Sequence, residues 1–119
     1  MTLAVRARTW LPPIALMGVI FALSAQPDLN SGLGTADTIL RKLVHAAVYG
    51  LLAFLWVRAL RTTRVGRIAL PLAFALTVGY AITDEYHQTF VDGRHGSPLD
   101  VLIDSAGAAL VLLRIRQRR

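Results

Sequence analysis

Residues 84–107 read DEYHQTFVDGRHGSPLDVLIDSAG, and this stretch determines how the rest of the chain must be arranged. It holds five of the seven carboxylates of the 119-residue sequence, together with Gln88, Arg94 and two histidines. Apolar segments flank it on both sides. A charged side chain at the centre of a membrane helix costs about 2.5–3.5 kcal/mol on insertion scales. We therefore expect these polar groups to have a function.

The composition is that of an integral membrane protein. Hydrophobic residues make up 55% of the chain, and the mean hydropathy is +0.52. There is no cysteine, which excludes a disulfide framework and thiol chemistry. The net charge of +6 raises the question of nucleic acid, but the basic residues cluster at the ends of apolar runs without interleaved aromatic residues. The pattern favours arginines that flank membrane segments and predicts no nucleic-acid partner.

Four apolar segments divide the chain, which we interpret as a single domain over residues 1–119. A helix needs about 20 residues to cross the hydrocarbon core of a bilayer, and each segment approaches that length, the last being short. The segments are at about 9–25, 38–60, 68–90 and 98–114.

The first apolar segment has a second interpretation. Arg6 and Arg8 precede it, and small residues near position 24 follow it, which is also the pattern of a cleaved signal peptide. Trp10 and the adjacent Pro12 and Pro13 instead predict a membrane helix that starts at the lipid–water interface.

Charge predicts the topology. Ten of the thirteen basic residues fall into three groups at alternate ends of the four segments, and all seven acidic residues lie at the opposite ends. The positive-inside rule makes the basic side cytoplasmic. The sequence thus predicts an all-α integral membrane four-helix bundle with both termini cytoplasmic. Cleavage of the first segment would leave the other loops in agreement with the rule, so that alternative stays open. The ten residues are Arg6, Arg8, Arg58, Arg61, Arg64, Arg67, Arg114, Arg116, Arg118 and Arg119.

Polar residues form stripes on three of the predicted helices. Residues three, four or seven positions apart share a helix face, and lipid-facing carboxylates are disfavoured. We therefore expect the stripes to face one another at the outer-leaflet end. The stripes are Lys42, His45 and Tyr49 on the second helix, Asp84 and Gln88 with Glu85 beside them on the third, and Asp100, Asp104 and Gly107 on the fourth.

Structural explanations compete with a functional one for most of these residues. Asp100 fits a capping box begun by Ser97, and Lys42 can extend its amine to the headgroups. Ion pairs of Lys42 or Arg94 with a carboxylate can join helices, and His45 can do so by hydrogen bonding. His87 and His95 are expected at the aqueous edge. Asp104 lies too deep for a cap and needs a partner inside the bundle.

As a functional site, the stripes suggest acid–base chemistry on a phosphate-bearing ligand. Arg94 and Lys42 would hold phosphate, with Gln88, Tyr49 and Asp100 completing the binding surface. Glu85 or His45 would act as general base, oriented by Asp84 or Asp104. A divalent metal held by the histidine and carboxylates is an alternative, but no compact ligand motif such as HExxH occurs. We predict no metal and no cofactor, and leave open whether the protein is an enzyme.

The sequence resembles the VanZ-like family of small bacterial membrane proteins, named for a protein associated with resistance to the glycopeptide teicoplanin. It departs from the family pattern at two positions. Relatives often carry asparagine where this sequence has Asp104. A second glycine is common where it has Val111, and the larger valine side chain argues against close helix packing there. The matching residues are Ser24-Ala25-Gln26-Pro27, Lys42-Leu43-Val44-His45 with Tyr49, Asp84-Glu85-Tyr86-His87-Gln88 with Phe90, and Arg94, Asp100, Asp104 and Gly107.

The resemblance implies a multi-pass protein of the bacterial cytoplasmic membrane that retains its first helix. Our first functional hypothesis is a site that binds or modifies an envelope component, such as a phospholipid headgroup or a lipid-linked precursor. The alternative is a non-enzymatic accessory protein whose polar network is structural and which assists a partner membrane protein.

Overall fold

A computed structural model describes residues 2–24, 35–90 and 98–118, and within these ranges the chain is helical without strands. The four helices confirm the predicted all-α architecture. They are α1 (Leu3–Ser24), α2 (Thr35–Leu60), α3 (Ala69–Gln88) and α4 (Pro98–Gln117), with a 3-10 helix (Gly66–Ile68) before α3.

Three helical segments are long and apolar enough to cross a membrane: Leu3–Leu23, Ile39–Leu60 and Gly66–Gln88. The fourth helix is not among them, because carboxylates near its start and arginines near its end reduce its hydropathy. At 20 residues α4 is nevertheless about 30 Å long, which matches the hydrocarbon core. Composition therefore supports three of the four predicted spans, and packing brings the fourth helix into the same bundle.

The first helix differs from its predicted form. It begins at Leu3 rather than near residue 9, so Pro12 and Pro13 lie inside the helix instead of at its start. Because Pro12 has no N–H, the carbonyl of Arg8 lacks its usual donor four residues later. Arg58 of α2 supplies one, since its Nη2 donates to the Arg8 oxygen at 2.6 Å. A polar group freed by proline thus connects the start of α1 to the end of α2.

Helices α2 and α4 approach until their backbones touch. A Cβ placed on Gly107 would lie well under 3.0 Å from the carbonyl oxygen of Ala46. One turn further along, a Cβ on Gly50 would lie 2.7 Å from Cγ2 of Val111. Val111 therefore does not prevent close packing, because a glycine on the partner helix leaves room for it. Small residues at helix contacts are what allows such approach in membranes.

The buried core is made mostly of small apolar residues. One cluster lies toward the C-terminal end of α2, where Trp10 and Trp56 also meet edge to face with ring centroids 6.4 Å apart. Large apolar side chains cover the outer surface, as expected for helices that face lipid. The cluster consists of Ala53, Val57, Leu60, Ala69, Ala73, Ala108 and Leu112.

The two ends of the bundle differ in charge. The described arginines at the start of α1, the α2–α3 connection and the end of α4 come together at one end, as the Arg58–Arg8 contact and the shared core cluster show. Lys42, Asp84, Asp100 and Asp104 lie toward the other end. Among the residues that the structure describes, the separation of charge expected from the sequence is therefore present in the fold.

Candidate functional site

The polar stripe of α2 is paired, residue by residue, with carboxylates of α3 and α4. Lys42, His45 and Tyr49 each lie against a different aspartate. Lys42 and Tyr49 are seven positions apart, so the stripe extends about 10 Å along the helix axis. We call this set the polar column; its members are Lys42, His45, Tyr49, Asp84, Asp100 and Asp104.

The outermost pair, Lys42 with Asp100, is an ion pair at the exposed end of the column, which we call its mouth. Lys42 Nζ donates to Asp100 Oδ1 at 2.9 Å. The two side chains keep 37% and 27% of their exposure, so both remain partly accessible from outside the bundle. Asp100 is thus more than a helix cap, because its carboxylate also connects α4 to α2.

The middle pair joins a half-exposed histidine to a buried carboxylate. His45 Nδ1 lies 3.4 Å from Asp104 Oδ1, within ion-pair range but without the geometry of a hydrogen bond. The His45 side chain is 34% exposed, whereas that of Asp104 is 5% exposed. The expectation that Asp104 needs a partner inside the bundle is met by this contact.

The innermost pair is buried on both sides. Tyr49 donates its hydroxyl to Asp84 Oδ2 at 3.1 Å, and neither residue is more than 4% exposed. The Tyr49 ring lies near that of His45, with centroids 6.2 Å apart. Lys42 and His45 are thus similarly exposed, whereas Tyr49 is buried.

Local sequence explains how the carboxylates reach this position. Asp84 continues the buried face of α3, which presents a small side chain at every third or fourth residue through Ala73, Thr77 and Ala81. On α4, Asp104 stands one turn before Gly107, where the helix touches α2. Close approach at Gly107 brings the aspartates within reach of the α2 stripe.

Two buried oxygens in the column lack a hydrogen-bond donor from the described residues: Asp84 Oδ1 and Asp104 Oδ1. A buried polar atom without a partner costs about 1–3 kcal/mol. A bundle optimised only for stability would avoid such acceptors, and functional sites are among the places that retain them. Because Asp104 Oδ1 faces His45 Nδ1 at ion-pair distance, Asp84 Oδ1 is the acceptor that lies outside the column's own pairs.

The other predicted site residues have different positions. Gln88 lies one turn beyond Asp84 on the same face and is 4% exposed, and Glu85 is half-buried beside it. Arg94 lies outside the described residues. The structure thus gathers six of the nine predicted residues in the column and places two more on the adjoining turns of α3.

The sequence did not point to the connection between this site and α1. Tyr80, four residues before Asp84, donates its hydroxyl to the carbonyl oxygen of Met17, and its ring lies 6.4 Å from that of Tyr49. His87, expected at the aqueous edge, stacks on Phe21 of α1 with ring centroids 4.3 Å apart. The position of Tyr80 on the Asp84 face was the available signal.

The arrangement suits acid–base chemistry better than metal binding. No three His, Asp or Glu side chains within residues 2–24, 35–90 and 98–118 are placed to hold a metal ion. A carboxylate that faces Nδ1 of a histidine fixes the ring and directs Nε2 elsewhere, which is how hydrolases orient a general base. His45 with Asp104 has the elements of that arrangement.

The sequence as a whole matches a known protein family. The VanZ/LLP1 family model matches residues 4–116, which is nearly the whole chain. Comparisons with curated proteins and with solved structures give no match. The family match covers all four helices, including α1 and every member of the polar column. The chain belongs to the VanZ/LLP1 family.

Proposed function

We propose that the polar column is an outer-leaflet site that binds or modifies the headgroup of an envelope component, either a phospholipid or a lipid-linked precursor. The observation that carries this proposal is the graded burial of three polar pairs, which leads from a partly exposed ion pair to buried carboxylates, one of which has an acceptor oxygen outside the column's own pairs. Charge supports the orientation, since the positive-inside rule assigns the opposite, arginine-rich end to the cytoplasm.

An amphiphilic ligand fits the surroundings of the column. Lys42 and His45 are separated in sequence by Leu43 and Val44, which are 63% and 51% exposed. A headgroup at the column would thus have its acyl chains against apolar side chains of the same helix. Lys42 would contact phosphate, and Arg94 is the second phosphate ligand of the proposal.

His45 is the general base in this proposal, and Asp104 is its positioning residue. The ring is half-exposed and lies between the mouth and the buried Tyr49–Asp84 pair, so a headgroup hydroxyl or a water can approach it. Glu85 is the alternative base. Through the family, the reaction or binding event is proposed to contribute to teicoplanin resistance.

Substitution of His45 by glutamine tests the chemistry separately from the packing. His45→Gln keeps a donor for Asp104 but removes the titratable ring. In a bacterial host without its own family member, we expect loss of teicoplanin protection and a changed envelope lipid profile at normal membrane levels of the protein. The control is Gly79→Ala, on an open part of α3. Wild-type behaviour of His45→Gln in both assays would contradict the proposal.

A structural role is the second candidate, and the pairing itself favours it. Every polar residue of the α2 stripe contacts a carboxylate on another helix, so the column also holds three helices together. In that case the protein would be an accessory to a partner membrane protein. Crosslinking in intact membranes that recovers one stoichiometric partner favours this candidate, whereas an active monomer in detergent contradicts it.

A further inference from the structure

The connection between α2 and α3 is an ordered turn. The hydroxyls of Thr62 and Thr63 donate to the carbonyls of Ala59 and Leu60 at 2.7 Å, which satisfies acceptors at the end of α2. The Val65 N–H donates to the Thr63 hydroxyl at 3.2 Å. Two more backbone bonds, from residues 66 and 68, each reach back three positions. Residues 61–68 therefore have a defined backbone.

This turn carries three exposed arginines at intervals of three residues: Arg61, Arg64 and Arg67. The end of the turn, Gly66–Ile68, forms a short 3-10 helix that begins shortly after Arg64 and includes Arg67. The turn is also compact, because a Cβ on Gly66 would lie 3.3 Å from the Arg61 carbonyl oxygen. We call residues 61–68 with these side chains the arginine turn.

Within residues 2–24, 35–90 and 98–118, no acidic residue lies at the end of the bundle that holds the arginine turn. The acidic residues of the described helices are Asp84, Glu85, Asp100 and Asp104, apart from one at the start of α2, and all lie toward the opposite end. Arg58, one turn earlier, differs because its guanidinium already donates to the Arg8 carbonyl. Guanidinium groups hold phosphate oxygens in a bidentate manner, so a phosphate-bearing ligand is the natural partner.

The position of the turn identifies the source of that phosphate. It joins the two candidate spans Ile39–Leu60 and Gly66–Gln88, and therefore lies at the level of lipid headgroups. Val65 and Ile68 are 41% and 51% exposed within it. Exposed apolar side chains among the arginines suit a lipid, whose acyl chains begin next to its phosphate. A soluble anion or a nucleic acid would leave Val65 and Ile68 exposed to water.

We propose that the arginine turn is a binding site for the headgroup of an anionic phospholipid in the leaflet at this end of the bundle. The site is independent of the polar column, since the two occupy opposite ends. It holds one lipid beside the α2–α3 connection, in addition to any general attraction of the basic end for the membrane surface.

Two variants with the same change of charge test the proposal. Arg61→Gln with Arg64→Gln and Arg67→Gln removes the site, and Arg114→Gln with Arg116→Gln and Arg118→Gln removes equal charge from the end of α4. Binding of phosphatidylglycerol to the full-length protein in detergent is measured by native mass spectrometry, with phosphatidylcholine as the neutral reference. We expect affinity for phosphatidylglycerol to fall about tenfold or more in the turn variant and less than about threefold in the control.

Other outcomes decide against the site. Equal losses in the two variants would show diffuse attraction to a basic surface, and displacement of the lipid by soluble pyrophosphate at similar concentration would show a site for free anions. If the triple variant does not fold, the three single substitutions replace it, each with an expected loss of about threefold. No loss in any of them would overturn the proposal.

Discussion

Tyr49 donates its hydroxyl to Oδ2 of Asp84 at 3.1 Å, and this contact joins α2 to α3 at the deepest point of the polar column. Both residues are buried, while the pairs above them are progressively more exposed. The column therefore combines two properties. Its inner end holds the bundle together, and its outer end is accessible to a ligand.

The first prediction concerns this innermost pair. Tyr49→Phe removes the donor and leaves both Asp84 oxygens without one from the described residues, so we expect a loss of about 1–3 kcal/mol in the free energy of unfolding. Tyr86→Phe is the matched control, since Tyr86 is 68% exposed, and its effect should stay within about 0.5 kcal/mol. Thermal unfolding in detergent compares the two. Equal effects would show that the Tyr49–Asp84 bond contributes nothing to stability.

The second prediction concerns the contact between α2 and α4. Gly107→Ala places a methyl group against the Ala46 carbonyl, which can be relieved only by separating the helices, so we expect destabilisation by about 1–3 kcal/mol or more. Gly79→Ala is the control, because nothing lies within 4 Å of its added carbon, and it should be neutral or stabilising. Melting temperatures that fall equally in both variants would contradict the close approach at Gly107.

The third prediction separates stability from function at the mouth. Because the Lys42–Asp100 pair is partly exposed, replacing either residue by alanine should cost no more than about 1 kcal/mol. The exchange Lys42→Asp with Asp100→Lys should restore that loss. If the mouth binds a ligand, teicoplanin protection will remain absent in the exchanged variant despite its restored melting temperature. Recovery of both properties together would favour the structural role.

The fourth prediction concerns topology. The chain has no cysteine, so single cysteines report on accessibility without background labelling. Thr62→Cys, at the arginine-rich end, should be protected from a membrane-impermeant maleimide in intact cells, and Thr89→Cys, after α3, should be labelled. The reverse pattern would place the polar column on the cytoplasmic side and remove the basis for an outer-leaflet ligand.

Helical periodicity and the cost of burying charge made much of this fold predictable. The spacing of Lys42, His45 and Tyr49 predicted that they share one helix face. Because aspartates that face lipid are disfavoured, they were expected to lie against that face. These arguments depend only on local spacing. They left open which aspartate pairs with which α2 residue, since that depends on the relative height of the helices.

Features that depend on backbone groups could not be predicted in the same way. The Arg58 contact requires a carbonyl freed by Pro12, and the Tyr80 contact requires the Met17 carbonyl on another helix. Any residue has a carbonyl, so the Met17 acceptor is not distinguishable in the sequence, and Pro12 marks the Arg8 carbonyl only once α1 is known to begin before residue 8. The fit of Val111 onto Gly50 likewise depends on the register of two helices, which spacing within one helix does not determine.

The central claim is that the polar column selects an envelope amphiphile, and lipid photo-crosslinking tests it most directly. A benzophenone amino acid replaces Leu43, beside the column, or Phe54, further along the same helix; these residues are 63% and 44% exposed. The lipids captured in cell membranes are then identified by mass spectrometry. We predict that position 43 captures a restricted lipid class, that His45→Ala with Asp104→Ala abolishes this enrichment, and that position 54 captures bulk lipid. The same bulk lipid mixture at both positions, unchanged by the substitutions, would contradict the claim.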